Sequence, residues 1–504
     1  MVEASSPVVP WLRTAAVVGA TAVLTLTVFA PALRNGFVDW DDNVNLIQNL
    51  HYRGLGVAQL RWMFTASIVS GQWIPLTWLS LGLDFVLWGM RPVGYHLTNI
   101  LLHAANAAVF FVLARRLLGV AAPTLGGRAR DVGGVAAALF FALHPLRVES
   151  VAWVTERRDV LSGLFFLLAV LAYLRASEPG GEERRLWRVA SLGFYVLALG
   201  AKAVVVMLPF VLVVLDVYPL RRISGRWRTW VTPGAQRIWL EKVPYVVLAL
   251  GASAVGVQAL RVTPTLAPDT YPFWARMLIG VHSLGFYVRM TVIPLGLSPL
   301  YELPARIDPL DPLWLASGLA VGGIAVFVWA IRRRWPAGLA ACVAYAVLLL
   351  PVSGLIRTVG PQLVATRYSY LSCLPLALLV GAVVAWACEA GERGALRRPF
   401  VRVAVAGMAI WIIGLGGQTW GQVQVWRDTE TLWRYALEID PACARCHNNL
   451  GAWLADRGLL GEAIAHFRRA VALRPDHADV FRANLELALR RVGPRPQRPG
   501  APAG

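Results

Sequence analysis

The chain has 504 residues, of which 57% are hydrophobic and only 15% are charged. This balance excludes a soluble globular protein of this size and indicates a protein that crosses a membrane many times. The net charge of +19 arises from short arginine clusters between apolar segments, which is the positive-inside pattern that orients membrane helices. It therefore gives no support to nucleic-acid binding.

The apolar segments predict an all-α, polytopic membrane domain with about 11–12 spans over residues 1–426. If the arginine clusters face the cytoplasm, three candidate spans lie between two cytoplasmic basic loops. Two loops on the same side of a membrane must be joined by an even number of spans, so one of the three does not cross. We therefore interpret segment 276–297, which carries His282, Arg289 and Pro294, as re-entrant or interfacial. Eleven spans remain, which places the C-terminal region outside the cytoplasm. The candidate spans are 12–33, 94–116, 132–147, 158–175, 188–201, 203–219, 243–261, 276–297, 313–331, 336–353, 369–388 and 402–420.

The first loop, residues 34–93, is rich in tryptophan and phenylalanine, which is typical of helices that lie in the headgroup region. It begins with three carboxylates, Asp39, Asp41 and Asp42. Acidic residues are costly to hold at a membrane boundary and usually serve chemistry or an ion. Adjacent carboxylates raise each other's pKa, so we assign Asp41 or Asp42 as a general base and the other as a residue that orients an acceptor or binds a metal. The alternative is a loop that only ends a helix.

No cofactor is identified with certainty, and the pattern leaves open whether a divalent cation binds; if one does, Asp41 and Asp42 are its ligands. Along 94–107, four polar residues recur at helical spacing and therefore share one helix face. Interhelical hydrogen bonding is the commoner reason for such a stripe, although His96 is also a candidate binding residue. The stripe consists of His96, Asn99, His103 and Asn106.

A second charged block, residues 144–159, lies between two predicted spans on the same face as Asp41 and Asp42. In this block His144 and Glu149 could hold the acceptor or a cation, and Arg157 or Arg158 could meet a phosphate. Interfacial anchoring is the alternative. The candidate binding residues of the block are His144, Glu149, Glu156, Arg157, Arg158 and Asp159.

Three more candidates lie elsewhere. A guanidinium matches the oxygens of a phosphate and stays charged, so Arg367 is assigned to a phosphate leaving group. Tyr368 lies beside it and Trp73 belongs to the aromatic loop, and both are added as binding candidates. Lys202, near a short turn between spans, could bind phosphate or could be a snorkelling lysine.

After residue 426 the composition becomes soluble, and residues 427–492 match the 34-residue tetratricopeptide spacing. So short a module predicts packing against the membrane domain or a partner. The tail, residues 493–504, is rich in proline and is expected to be disordered. The sequence Cys443-Ala-Arg-Cys446-His447 resembles a haem-attachment site, but a local disulfide in an oxidising compartment fits the repeat register better. The matching positions are Leu450, Gly451, Ala463, Phe467, Ala470 and Pro475.

Taken in order and followed by the repeat, five blocks closely resemble bacterial relatives of the transmembrane-and-tetratricopeptide O-mannosyltransferases, membrane glycosyltransferases of the GT-C class. Three positions depart from that pattern, namely Ile74, Arg147 and Thr366. The blocks are GFVDWDD (36–42), QWIPLTWLS (72–80), GYHLTNILLH (94–103), HPLRVESVAWVTERRD (144–159) and VATRYSYL (364–371).

The resemblance implies a multi-pass protein of the bacterial inner membrane that moves a sugar, such as mannose, from a polyprenyl-phosphate donor to a hydroxyl group of a protein or glycan. Transfer would occur on the extracytoplasmic side, where Asp41 and Asp42 match the acidic motif that serves the acceptor. Membrane lipids and a protein bound by the repeat module are further expected partners. The alternatives are a lipid or glycan transporter or flippase, or a non-catalytic scaffold.

Overall fold

The computed structural model describes residues 8–69, 71–178, 183–262, 271–356, 362–475 and 478–492. The predicted disordered tail lies outside these residues. Within these residues, four short strands form two antiparallel pairs, β1 (Ile68–Val69) with β2 (Gln72–Trp73) and β3 (Tyr301–Glu302) with β4 (Gln362–Val364). The described helices are α1 Val8–Phe29, α2 Val57–Thr65, α3 Pro75–Trp88, α4 Pro92–Ala121, α5 Gly127–Ala142, α6 Val148–Ala152, α7 Arg157–Ala176, α8 Glu183–Ala201, α9 Leu208–Val217, α10 Pro233–Arg261, α11 Phe273–Val292, α12 Pro312–Ile331, α13 Pro336–Leu349, α14 Ser369–Ser372, α15 Leu374–Glu392, α16 Arg398–Val425, α17 Thr429–Ile439, α18 Ala444–Asp456, α19 Leu460–Leu473 and α20 Ala478–Val492.

Within the described residues, seven helices are long and apolar enough to cross a membrane, and an eighth span arises if one bent pair of helices is counted. The prediction of an all-α, multi-pass membrane protein is confirmed. The predicted 11–12 spans exceed this count because several predicted spans are broken or polar. Segments 203–217 and 336–352 are short apolar helices. Segment 276–297 lies mostly within one unbroken helix, α11 (Phe273–Val292), which is not among the seven.

The polar stripe of α4 holds the helices together, as its spacing predicted. His103 lies 2.9 Å from the hydroxyl of Tyr370, and the amide of Asn106 donates to the same hydroxyl at 2.8 Å and to the carbonyl of Val160 at 2.7 Å. Asn99 donates to the carbonyl of Val151. These bonds link α4 with α6, α7 and α14, so the interhelical interpretation is confirmed for these residues.

The block 144–159 does not continue α5 as a straight helix. α5 ends at Ala142, and the chain bends by 55° into the segment Pro145–Ala152. His144 accepts a hydrogen bond from the amide of Leu146 at the start of this segment, and Pro145 suits a first helical position, where no amide donor is needed. A short 3-10 turn (Val154–Glu156) then leads into α7. The charged block is therefore folded into a buried turn at the ends of the helices.

Residues 427–492, which we call the C-terminal module, form four amphipathic helices, α17–α20. Their apolar faces pack together, and Gly451 allows the ring of Phe467 to approach so closely that an added Cβ would lie 2.9 Å from it. The module shares one hydrophobic core with the membrane helices, as predicted for so short a unit. The predicted local disulfide is present between Cys443 and Cys446.

Candidate functional site

The acidic loop, residues 36–42, is fixed by the side chain of Asp42. One carboxylate oxygen accepts from the amide of Val38 at 3.0 Å, and the other accepts from the amide and hydroxyl of Thr155 at 3.0 and 2.6 Å. Asp42 is only 1% exposed. Burial outweighs these donors and raises the pKa of Asp42 to about 7. Asp42 thus ties the acidic loop to the turn that precedes α7.

Asp41 lies in a different environment although it is the adjacent residue. It is partly exposed, and desolvation raises its pKa, while the positive charges of Arg158 and Arg367 act in the opposite direction. A carboxylate with a raised pKa, an open side and cations nearby is suited to accept a proton from a bound hydroxyl group. The structure therefore separates the two candidates: Asp42 orients the loop and Asp41 faces the site.

The two arginines that act on Asp41 belong to a network of three cations, Arg158, Lys202 and Arg367, which we call the cation cluster. Glu156 contacts all three: its oxygens lie 2.5 Å from Arg158, 2.9 Å from Lys202 and 3.3 Å from Arg367. The cation cluster is mostly buried, with side-chain exposures of 7%, 13% and 8% for the three residues in chain order.

Two further carboxylates complete the network. Asp159 pairs with Lys202 at 2.6 Å, and Glu149 forms an ion pair with Arg367 and also accepts from the backbone amide of Arg367 at 2.8 Å. Three carboxylates therefore balance three cations. A buried network of this kind is stable only while its charges stay paired, so an added anion would have to compete with Glu149 and Glu156 for the cations.

The cluster is assembled from distant parts of the chain. Arg158 and Asp159 lie in the first turn of α7, Lys202 lies where α8 ends, and Arg367 lies in a 3-10 turn that follows β4. The guanidinium of Arg367 lies over the rings of Trp153 and Tyr368, at 5.5 and 5.0 Å. Stacking fixes the plane of the guanidinium and so its direction of hydrogen bonding.

Arg157 is not available to a phosphate. The prediction that Arg157 or Arg158 could meet a phosphate is therefore wrong for Arg157. Its side chain is 0% exposed and pairs with Asp84 at 2.6 Å. It also donates to the hydroxyl of Ser80, the carbonyl of Tyr95 and the side chain of Asn99. A guanidinium enclosed in this way holds α3, α4 and α7 together.

Three other predicted residues lie outside the cluster. His96 is buried 3.3 Å from the carbonyl of Gly36, where it supports the acidic loop. The ring of His144 lies 3.1 Å from the carbonyl of Thr291. Trp73 lies in β2 and donates to the carbonyl of Phe64. Of the predicted set, the structure brings together Asp41, Asp42, Glu149, Glu156, Arg158, Asp159, Lys202, Arg367 and Tyr368.

Sequence reasoning missed two residues. Thr155 supplies two of the donors to Asp42 and lies inside the charged block, but a threonine among charges gave no separate signal. Asp84 is a lone acid in an apolar helix, a pattern that usually marks a buried partner, and this signal could have identified it as the counter-ion of Arg157. Among the described residues, no three His, Cys, Asp or Glu side chains come together in a way that could hold a metal ion.

The fold and site define a polytopic helical membrane protein with a partly open carboxylate beside a buried cation cluster. No family model matches the chain. It is 25% identical over 435 residues to the human protein O-mannosyl-transferase TMTC4, covering 78% of this chain and 57% of that protein. It is 26% identical over 442 residues to human TMTC1, covering 81% and 48%. It is also 38% identical over 113 residues to tmtc2 of Xenopus laevis, covering 22% of this chain and 12% of that protein.

The chain is thus related in sequence to proteins named as O-mannosyl-transferases, and the resemblance read from its motifs is confirmed. It spans about half the length of these relatives. Among solved structures, ArnT from Cupriavidus metallidurans in the apo state matches with a TM-score of 0.39 and 16% identity, covering 90% of this chain and 80% of that one.

Proposed function

We propose that the protein is a membrane glycosyltransferase of the GT-C type, which transfers a sugar from a polyprenyl-phosphate donor to a hydroxyl group on the extracytoplasmic side. The observation that carries the proposal is the position of Asp41, which is partly exposed and within electrostatic reach of Arg158 and Arg367. Similarity to proteins named as O-mannosyl-transferases supports it and makes mannose the first sugar to test, with a protein or glycan as acceptor.

In the proposed reaction, the acceptor oxygen attacks the anomeric carbon of the donor and the bond from that carbon to the phosphate oxygen breaks. Asp41 takes the proton of the acceptor hydroxyl group, and the bond electrons leave with the polyprenyl phosphate. The products are the glycoside, polyprenyl phosphate and a proton held on Asp41. One carboxylate and a single displacement predict inversion at the anomeric carbon, since a retaining mechanism would need a second carboxylate as nucleophile.

The cation cluster serves the leaving group. Arg367 offers a planar guanidinium that matches phosphate oxygens, and Lys202 and Arg158 add positive charge at its side. Glu149 and Glu156 hold these cations in place before the donor binds, so the phosphate exchanges with a carboxylate that is already paired. Positive charge that is already in place where negative charge develops on the leaving phosphate lowers the activation barrier of the transfer.

The test uses purified protein in nanodiscs with a panel of polyprenyl-phosphate sugars, mannose first, and records transfer and donor hydrolysis. Asp41→Asn is expected to lower kcat by about 10²-fold or more, because the general base is lost. Asp131→Asn is the matched control, because Asp131 pairs with Arg115 near the far ends of α4 and α5 and should leave turnover unchanged.

Equal turnover in wild type and Asp41→Asn would refute the base assignment. Donor movement across the bilayer without breakage of the sugar–phosphate bond would instead favour a flippase. The anomeric configuration of the product, read by NMR, separates direct displacement from a covalent intermediate.

A further inference from the structure

The C-terminal module touches the backbone of the acidic loop. The amide of Gly36 donates to the carbonyl of Arg427 at 2.8 Å, and the amide of Asp39 donates to the hydroxyl of Thr429 at 2.8 Å. Both acceptors lie at the junction between α16 and α17. Two backbone amides of the acidic loop are thus held by residues almost four hundred positions later in the chain.

A column of aromatic rings continues this contact into the site. The ring of Trp433, in α17, lies 4.9 Å from the ring of Trp40, which immediately precedes Asp41. Trp40 in turn lies 5.4 Å from Trp153, the ring under the guanidinium of Arg367. Trp433 is 0% exposed and Trp153 is 1% exposed. Packed rings of this size have little freedom to shift, so a displacement of Trp433 would be felt by Trp40.

The module also holds the segment that carries Arg367. Glu302, in β3, accepts from the amides of Ala444 and Arg445 at 2.7 and 3.3 Å, at the first turn of α18. A carboxylate at a helix N-terminus is favoured by the unpaired amides and the helix dipole. β3 pairs with β4, and β4 leads within two residues into the turn that contains Arg367.

We propose that the C-terminal module is a positioning clamp for the site: Trp433 acts through Trp40, and the start of α18 acts through Glu302, to fix Asp41 relative to Arg367. This assignment rests on the proposed transferase function. Trp433 and Glu302 touch no reacting atom and are positioning residues. A base and a phosphate ligand on separate loops must keep their spacing to within a fraction of an ångström, because small misplacements cost large factors in rate.

The experiment compares Trp433→Ala, Trp433→Phe and Glu302→Ala in the full-length protein in nanodiscs. Trp453→Ala is the matched control, because this tryptophan lies in α18 of the module and stacks on Arg457 at 3.8 Å, and its ring is not part of the column formed by Trp433, Trp40 and Trp153. Two readouts are taken: kcat and KM for the polyprenyl-phosphate sugar that the wild type turns over, and hydrogen exchange of the amides in residues 36–42 and 362–368.

Trp433→Ala is expected to lower kcat by about 10-fold or more while the KM for the donor changes by less than about three-fold. The reason is that the donor still binds, whereas Asp41 is no longer aligned with Arg367. Amides of residues 36–42 should exchange faster. Trp433→Phe, which restores a ring, should recover most of kcat. Glu302→Ala should increase exchange in 362–368, and it keeps the proposal testable if Trp433→Ala fails to fold. Trp453→Ala should match the wild type.

The clamp would be overturned if hydrogen exchange stayed at the wild-type rate in residues 36–42 of Trp433→Ala and in residues 362–368 of Glu302→Ala. It would also be overturned if both variants kept the wild-type kcat. If the wild type turns over no donor, the proposed function fails, while the exchange data still decide whether the module holds the two segments. A loss of kcat of equal size in Trp453→Ala would also overturn the clamp, because it would show general loosening of the module.

Discussion

At the residue scale, two adjacent aspartates have the same chemistry but different tasks. Asp42 accepts three hydrogen bonds and is buried, whereas Asp41 is open on one side and faces two arginines. The same contrast separates Arg157 from Arg158, since the first is enclosed with Asp84 and the second belongs to the cation cluster. Neighbours in sequence point in different directions at turns, so their environments decide their roles.

The first prediction follows from the buried carboxyl group of Asp42. Burial raises its pKa from 3.8 to about 7 in the folded protein, so the folded state binds more protons than the unfolded state between about pH 4 and 7. Stability must therefore fall as pH rises through this window, by up to about 4 kcal/mol. Asp42→Asn should make the dependence shallower, because its amide oxygen can still accept from Thr155 but does not titrate. Asp39 and Asp41, whose pKa values burial also raises, should keep part of the dependence.

The measurement is the thermal unfolding midpoint in nanodiscs at several pH values from 5 to 8. Asp131→Asn should keep the wild-type slope. A slope in Asp42→Asn as steep as in the wild type would show that another group is responsible.

At the scale of elements, glycine decides how closely two membrane helices approach. A Cβ added to Gly133 in α5 would lie 2.6 Å from the carbonyl oxygen of Gly381 in α15. Small residues at helix crossings let backbones pack closely in a membrane, where the hydrophobic effect does not drive helices together. This crossing holds α5, and with it the buried turn that carries Glu149 and Glu156.

The second prediction is that Gly381→Ala destabilises the protein by about 1–3 kcal/mol, because the added methyl group forces α5 and α15 apart. Gly407→Ala is the control, since nothing lies within 4 Å of a Cβ at that position of α16. There the change should be neutral or slightly stabilising, because alanine is the better helix former. Unfolding of both variants, followed by tryptophan fluorescence, tests the contrast, and equal midpoints would contradict it.

At the scale of the whole molecule, contact between the acidic loop and the C-terminal module limits how many times the chain can cross the membrane between them. Trp40 follows the first span and Trp433 follows the last, and their rings are 4.9 Å apart. Both must therefore lie on the same side of the membrane, so the number of crossings between them is even. An even number of crossings agrees with the seven apolar helices of the described residues, as it does with the eleven spans expected from the arginine clusters, and it disagrees with eight spans. The Cys443–Cys446 disulfide is typical of a non-cytoplasmic compartment.

The third prediction concerns the side of the membrane on which the acidic loop and the C-terminal module lie. In a variant lacking the free cysteines Cys342, Cys373 and Cys388, Val44→Cys should react with a membrane-impermeant maleimide added outside the inner membrane. Val44 follows the acidic loop and is 48% exposed. Gly225→Cys, in the basic segment between α9 and α10, should react only after the membrane is opened. The reverse pattern would place the site in the cytoplasm.

The sequence by itself determined the class of the protein and predicted most of the residues that the structure brings together in the candidate site. Apolar segments, arginine clusters and five ordered motifs were enough to predict a multi-pass helical protein with Asp41, Asp42, Glu156 and Arg367 in one site, because hydropathy and charge are local properties of the chain. The repeat spacing predicted helices in the C-terminal module, and the Cys-x-x-Cys pattern predicted the disulfide between Cys443 and Cys446.

Only the tertiary structure decided which residues share the site and which merely support it. It separated Arg158 from Arg157 and Asp41 from Asp42, and it placed Trp433 on the loop that carries the acidic pair. Such choices depend on contacts between residues that are far apart in the chain. Neither spacing nor composition encodes the direction of a side chain at a turn, or the packing of one helix end on another.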